Sequence, residues 1–153
     1  MERIRHSSAK VVDKPWGEEM WLADGIETPY ALKRIMFLSG KRSSLQVHEF
    51  KFETNFVLSG SGVFLLSENP IDVRRYLASE DKTKIEEMIY SDLREIELIP
   101  ETVIDVPPGY VHRVIAKTTL VFVECSSTEL DDVIRISDDS GRGNGRIESE
   151  HRH

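Results

Sequence analysis

Hydrophobic and polar positions alternate with a period of two along much of the chain, and the alternation is broken by Gly and Pro corners. Residues 11–17 (VVDKPWG) read as an extended lead-in, because Pro15 keeps Lys14 out of a helix. Residues 17–24 (GEEMWLAD) alternate imperfectly, and 30–38 (YALKRIMFL) form a clearer strand that Ser39 and Gly40 close. Residues 55–66 (NFVLSGSGVFLL) predict a hairpin with its turn at 59–62. Residues 102–107 (TVIDVP), 112–116 (HRVIA) and 119–125 (TLVFVEC) complete the series. Many short strands with such corners predict an all-β sandwich or barrel. One stretch is not β-like. From Asn69 to Leu93 the chain carries an Asn-Pro corner, then IDVRRYLA, then TKIE, which matches a capping box. Ile85, Met88 and Ile89 follow at helical spacing, so a short helical insertion over about residues 69–93 is expected, packed on the barrel surface.

Composition narrows the class. With 153 residues and 39% of them hydrophobic, the chain suits one compact domain, expected over residues 1–137. Residues 138–153 are polar and glycine-rich and predict a flexible C-terminal tail. A net charge of −7 disfavours a nucleic-acid partner, and there is no basic stripe with interleaved aromatics. The single cysteine, Cys125, excludes an internal disulfide and reads as a small buried strand residue. The first residues lack the apolar core of a signal peptide, and no apolar run is long enough to span a membrane. A soluble, cytoplasmic protein is expected.

Gln46, His48, Glu53 and His112 carry the most chemistry. Two imidazoles and a carboxylate offer N/O ligation suited to Zn, Fe(II), Mn, Ni or Co, and the Gln46 amide oxygen adds a neutral fourth ligand. Side chains two apart on a strand share a face, so Gln46 and His48 point one way while Leu45 and Val47 point the other. Glu53 has the wrong parity for one continuous strand with His48. The stretch 49–51 must therefore turn, and a new strand beginning at Glu53 brings it back inward. His112 follows a Pro107-Pro108-Gly109 corner.

These strings resemble the two motifs of the cupin superfamily, G-x5-H-x-H-x3,4-E-x6-G and P-x-G-x2-H. Gly40, His48, Glu53 and Gly60 fall in register with the first, Gln46 standing at its first His; Pro107, Gly109 and His112 match the second. More specifically, the chain resembles the cupin domain of type II mannose-6-phosphate isomerases. The matching strings are KPWG at 14–17, LKRI at 32–35, SLQVH at 44–48, Glu53, SG at 59–60, VPPGYVHR at 106–113, Glu124, DDVIR at 131–135 and DDSGR at 138–142. It departs from that family at Phe50, Lys51, Thr54 and Asn55, where a further His, an Arg, another His and a Trp are usual. The Gln46, His48, Glu53 and His112 set also resembles the zinc ligands of type I mannose-6-phosphate isomerases.

The resemblance implies a cupin jelly-roll barrel holding one divalent metal ion, zinc first among the candidates. It also implies a sugar-phosphate isomerase interconverting mannose 6-phosphate and fructose 6-phosphate, or a similar pair. Such chemistry passes through an enediol and needs a cation where oxygen charge develops, together with a positioned base. Arg135 is the expected residue for phosphate or enediolate, and Lys33 a second substrate-binding cation, with alternation leaving open whether it or Arg34 faces inward. Two alternatives stand. His48, Glu53 and His112 without Gln46 form a two-His, one-carboxylate set suited to non-haem Fe(II) oxygen chemistry, and Phe50 suggests a non-catalytic sugar-binding module. Leu45 and Val47 need cover from the Trp16–Trp21 region or from a second subunit, which led to the expectation of a homodimer.

Overall fold

Alternation in the sequence becomes alternation in burial. The computed structural model describes residues 3–5, 10–137 and 145–147. Its strands are β1 (Val11–Lys14), β2 (Gly17–Asp24), β3 (Ala31–Phe37), β4 (Leu45–Val47), β5 (Glu53–Ser59) and β6 (Gly62–Ser67), followed by helices α1 (Val73–Ala78) and α2 (Thr83–Asp92). Then come β7 (Leu93–Leu98), β8 (Val103–Val106), β9 (His112–Ala116), β10 (Leu120–Ser126), β11 (Val133–Ser137) and β12 (Gly145–Ile147). They form two antiparallel six-stranded sheets, in the orders β1-β2-β3-β10-β5-β8 and β12-β11-β4-β9-β6-β7. The all-β class with a helical insertion is what the sequence predicts.

The sheets face each other across a core that includes Trp16, Ile35, Phe37, Val57, Phe64, Val114 and Phe122. Trp16 stacks on Phe37 with ring centroids 3.9 Å apart. Each such side chain contributes roughly 1.5–3 kcal/mol by leaving water. Lys33, Glu53 and Glu124 share the inward faces of these strands.

Cys125, expected to be buried, is exposed on β10. Four further expectations need correction. Residues 55–66 do not pair as a hairpin: β5 pairs with β10 and β8, whereas β6 pairs with β7 and β9. The 59–62 corner instead carries the chain from one sheet to the other. A side chain at Gly60, where φ is 86°, would meet the Thr119 carbonyl, so this crossing depends on glycine. Second, β7 was hidden within and beyond the insertion, because its LREIEL sequence has few β-forming residues and suits a charged edge strand. Third, the capping box at Thr83 is not formed. Lys82 occupies the cap position, Glu86 accepts from the Tyr76 hydroxyl at 3.0 Å, and Asp72 caps α1 through the Arg75 N–H.

The fourth correction concerns cover. Leu45 and Val47, with Ile134 and Ile136, pack beneath Val73, Tyr76 and Ile89 of the insertion, so this face is closed by the chain itself. A second subunit is not needed there, and Trp16 and Trp21 belong to other clusters. The expected tail falls mainly on 138–144 and 148–153, outside the described residues; Gly145–Ile147 between them pairs with β11. Among the described residues, no helix is long and apolar enough to cross a membrane.

Candidate metal centre

The site is assembled where β4 ends, β5 begins and β9 begins. Gln46 and His112 are register partners on β4 and β9, and His48 follows the last residue of β4. The chain turns through 49–52, and Glu53 opens β5 with its side chain inward, buried at 3% exposure. Ligand atoms of His48, Glu53 and His112 all lie within 4.8 Å of one another. Glu53 Oε2 is 3.7 Å from His48 Nε2, and Glu53 Oε1 is 3.4 Å from His112 Nε2.

The far side of each ring fixes its tautomer. His48 Nδ1–H donates to the Asp132 carbonyl at 2.6 Å, and His112 Nδ1–H donates to the Tyr110 carbonyl at 3.0 Å. A carbonyl can only accept, so in the neutral form of each ring the Nε2 atom carries the lone pair that faces Glu53. His48 Nε2 is buried without a hydrogen-bond partner. Burial, then the charge of Lys51, holds the His48 pKa well below its ordinary value, so the ring stays neutral and ready to ligate. An unsatisfied buried nitrogen beside a second imidazole and a carboxylate fits a divalent metal ion.

Gln46 lies beside this group, its Nε2 at 3.5 Å from His112 Nε2 and its Oε1 accepting from the Ser44 hydroxyl at 2.9 Å. A flip of the amide keeps the Ser44 contact, since a hydroxyl both donates and accepts, and turns the oxygen toward the ligands.

Next to the ligands is an ionic network that sequence reasoning missed. Lys51, expected in the turn at 49–51, is 2% exposed, with Nζ at 3.3 Å from both Glu53 Oε2 and Glu124 Oε2. Lys33 sits 3.1 Å from Glu124 and 3.7 Å from Glu19. Burial works to lower the Lys51 pKa, but Glu124 and Glu53 outweigh it and raise it, so Lys51 is a fixed ammonium. Burial also works against Glu124, and Lys33 and Lys51 overcome it, holding that carboxyl well below its usual range. Glu53 goes the other way: burial, reinforced by Glu124, raises its pKa. Among these five side chains, three carboxylates face two ammonium groups, and a divalent ion would add two positive charges.

A cavity of about 60 Å³ joins these groups; Gln46, His48, Lys51, Glu53, His112 and Glu124 are among its lining residues. Lys33 faces inward and lines it too, which settles the choice against Arg34. Arg135 is buried on β11 in register with Gln46, yet is not part of the lining. Phe50 is 56% exposed and forms no wall of the site; Phe64 is part of the apolar wall, stacked on the His112 ring with centroids 5.8 Å apart. The alternation signal could have found Lys51, which has the same parity as Glu53.

No family model and no curated protein matches this chain by sequence. Solved structures do resemble it. The capsular polysaccharide assembling protein CapF from Staphylococcus aureus matches with a TM-score of 0.62 at 16% identity, covering 84% of this chain and 32% of that one. The chain has the cupin fold. KdgF from Halomonas sp. matches with a TM-score of 0.57 at 16% identity over 80% of this chain and 89% of that one. Oxalate decarboxylase from Bacillus subtilis, which has Mn(II) centres, gives 0.59 at 16% identity over 83% and 30%. The chain thus spans about a third of the CapF and decarboxylase chains.

Proposed function

We propose that the protein is a divalent-metal-dependent enzyme that moves a proton between neighbouring carbons of a sugar phosphate, with mannose 6-phosphate and fructose 6-phosphate as the first pair to test. The observation that carries this reading is the convergence of His48, Glu53 and His112 beside the fixed ammonium of Lys51. A divalent ion held by these three side chains and Gln46 would supply a Lewis acid for the substrate's carbonyl and hydroxyl oxygens. Lys51 offers a charged donor where enediolate charge develops, and its raised pKa makes it a stabilising donor rather than a base. Of the two cations expected at the substrate, Lys33 acts through Glu124, while Arg135 stands in register with Gln46 on the neighbouring strand. Phe64 and the barrel walls exclude water around the reacting carbons. The test is interconversion of the two phosphosugars by protein purified without added metal and then supplied with Zn, Mn, Co or Ni. Turnover that a chelator abolishes supports the reading. Phosphosugar binding without turnover under every metal makes the chain a non-catalytic sugar-binding module.

The cavity volume favours a second reading. About 60 Å³ holds roughly four to six water-sized groups, fewer than the non-hydrogen atoms of a hexose phosphate. A sugar phosphate must therefore leave its phosphate at the mouth, whereas a compact carboxylic acid fits whole. His48, Glu53 and His112 with Fe(II) suit oxygen chemistry on such an acid. Oxygen uptake by the Fe(II)-loaded protein with small carboxylic acids separates the two readings.

A further inference from the structure

One residue outside the ligand set touches both pieces of chain that deliver it. Asp132 lies in the loop before β11, buried at 6% exposure, with its own N–H donating to the Glu129 carbonyl. Its main-chain carbonyl receives His48 Nδ1–H. Its carboxylate receives the three successive backbone N–H groups of the turn: Glu49 on Oδ1 at 3.1 Å, and Phe50 and Lys51 on Oδ2 at 2.6 and 2.9 Å. These donors belong to the stretch that reverses the chain between His48 and Glu53. The Lys51 N–H is buried and those of Glu49 and Phe50 are partly so; a buried main-chain group without an acceptor costs free energy comparable to a lost hydrogen bond. On the other side of the turn, the His48 carbonyl is itself held by the Gly109 N–H at 2.8 Å, from the corner that precedes His112.

We propose that Asp132 is the positioning residue of the metal centre: through its carbonyl it sets the tautomer and aim of His48, and through its carboxylate it shapes the turn that presents Lys51 and Glu53. The inference rests on the metal-centre reading and deepens it, because Asp132 lies outside the candidate ligand set and acts through these neighbours. An Asp suits the place because both carboxylate oxygens accept. An Asn of the same shape turns one of them into a donor facing N–H groups, and an Ala leaves those N–H groups without the acceptor.

The test uses the full chain. In the wild-type protein without metal, ¹⁵N spectra should show His48 protonated at Nδ1 and bare at Nε2, and the Glu49, Phe50 and Lys51 amides should exchange slowly despite lying outside any strand. Asp132→Asn should remove that protection while leaving the amides of β5 and β10 protected, and should weaken Zn(II) binding, read by chelator competition, by about 10–100-fold. Ser127→Ala is the control. It removes the neighbouring hydrogen bond from the Phe52 N–H, 3.0 Å long, without touching His48, and should leave Zn(II) affinity unchanged. Fast exchange at 49–51 in the wild type, an Nε2-protonated His48, or an Asp132→Asn protein that keeps its 49–51 protection overturns the proposal. So does unchanged Zn(II) affinity in a folded Asp132→Asn protein. If the wild type binds no Zn(II) while the tautomer and exchange results hold, the metal reading has failed and the role of Asp132 in shaping the turn stands.

Discussion

The same strands build two opposite ends of one barrel interior. On β10, Phe122 and Glu124 face inward two residues apart; their register partners on β3 are Ile35 and Lys33, and on β5 they are Val57 and Asn55. At each strand a step of two residues changes an apolar layer into an ionic one. The apolar end gains stability by removing surface from water. The ionic end takes charges out of water, which costs several kcal/mol per ion before partners offset it. A polar layer with so little to offer stability is expected where ligand binding is the use of the site.

Predictions that break or sharpen this contrast run from large to small. Phe122→Ala should destabilise the protein by about 3–5 kcal/mol in denaturant unfolding, while a folded fraction still binds metal. Lys51→Met should cost about 3 kcal/mol without metal, since it leaves Glu53 and Glu124 together with one counter-ion fewer. The same change should preserve or tighten metal binding, because the site becomes more negative; weaker metal binding by calorimetry would argue against the charge balance drawn above.

Glu53→Gln should act in the opposite sense. Its carboxyl pKa is raised by burial, so the ionised form is disfavoured in the metal-free fold, and its loss should leave metal-free stability undiminished. Metal affinity should fall by more than the roughly 100-fold that loss of an outer partner brings. The smallest effect is on pH dependence. His48 has a depressed pKa in the fold, so the unfolded chain binds more protons below the ordinary histidine value. The stability from keeping His48 neutral is present above pH ~6.5 and declines as pH falls, by at most about 1.4 kcal/mol per unit, until the depressed folded pKa is reached. The difference between wild type and His48→Gln in metal-free unfolding measured from pH 7.5 to 5 isolates it; a flat difference refutes it.

Much of this contrast was legible in the chain. Parity placed Gln46 and His48 on one face and required the turn that returns Glu53, because a period of two leaves no other solution. The insertion was visible as a change of period. What was not legible depended on partners distant in sequence. Parity with Glu53 hints that Lys51 turns inward, but its partner Glu124 lies 73 residues away. The role of Asp132 is silent in the sequence, since nothing local shows that a carboxylate will meet backbone amides 81 to 83 residues earlier. The 59–62 corner has hairpin chemistry, and only the pairing of other strands makes it a crossing between sheets.

The loop before β11 also bears on when the site can exist during synthesis. His48 and Glu53 leave the ribosome early, but the carbonyl that orients His48 belongs to a residue 84 positions later. Until Asp132 emerges and β11 docks beside β4, the early ligands lack their outer partners, and a nascent chain has no formed centre to hold a metal. Contacts this far apart also place folding toward the slow, millisecond-to-second range of β-rich topologies. On the proposed reading, metal loading would therefore follow the last strands of the barrel, and an unfinished chain would carry its candidate ligands in an unassembled form.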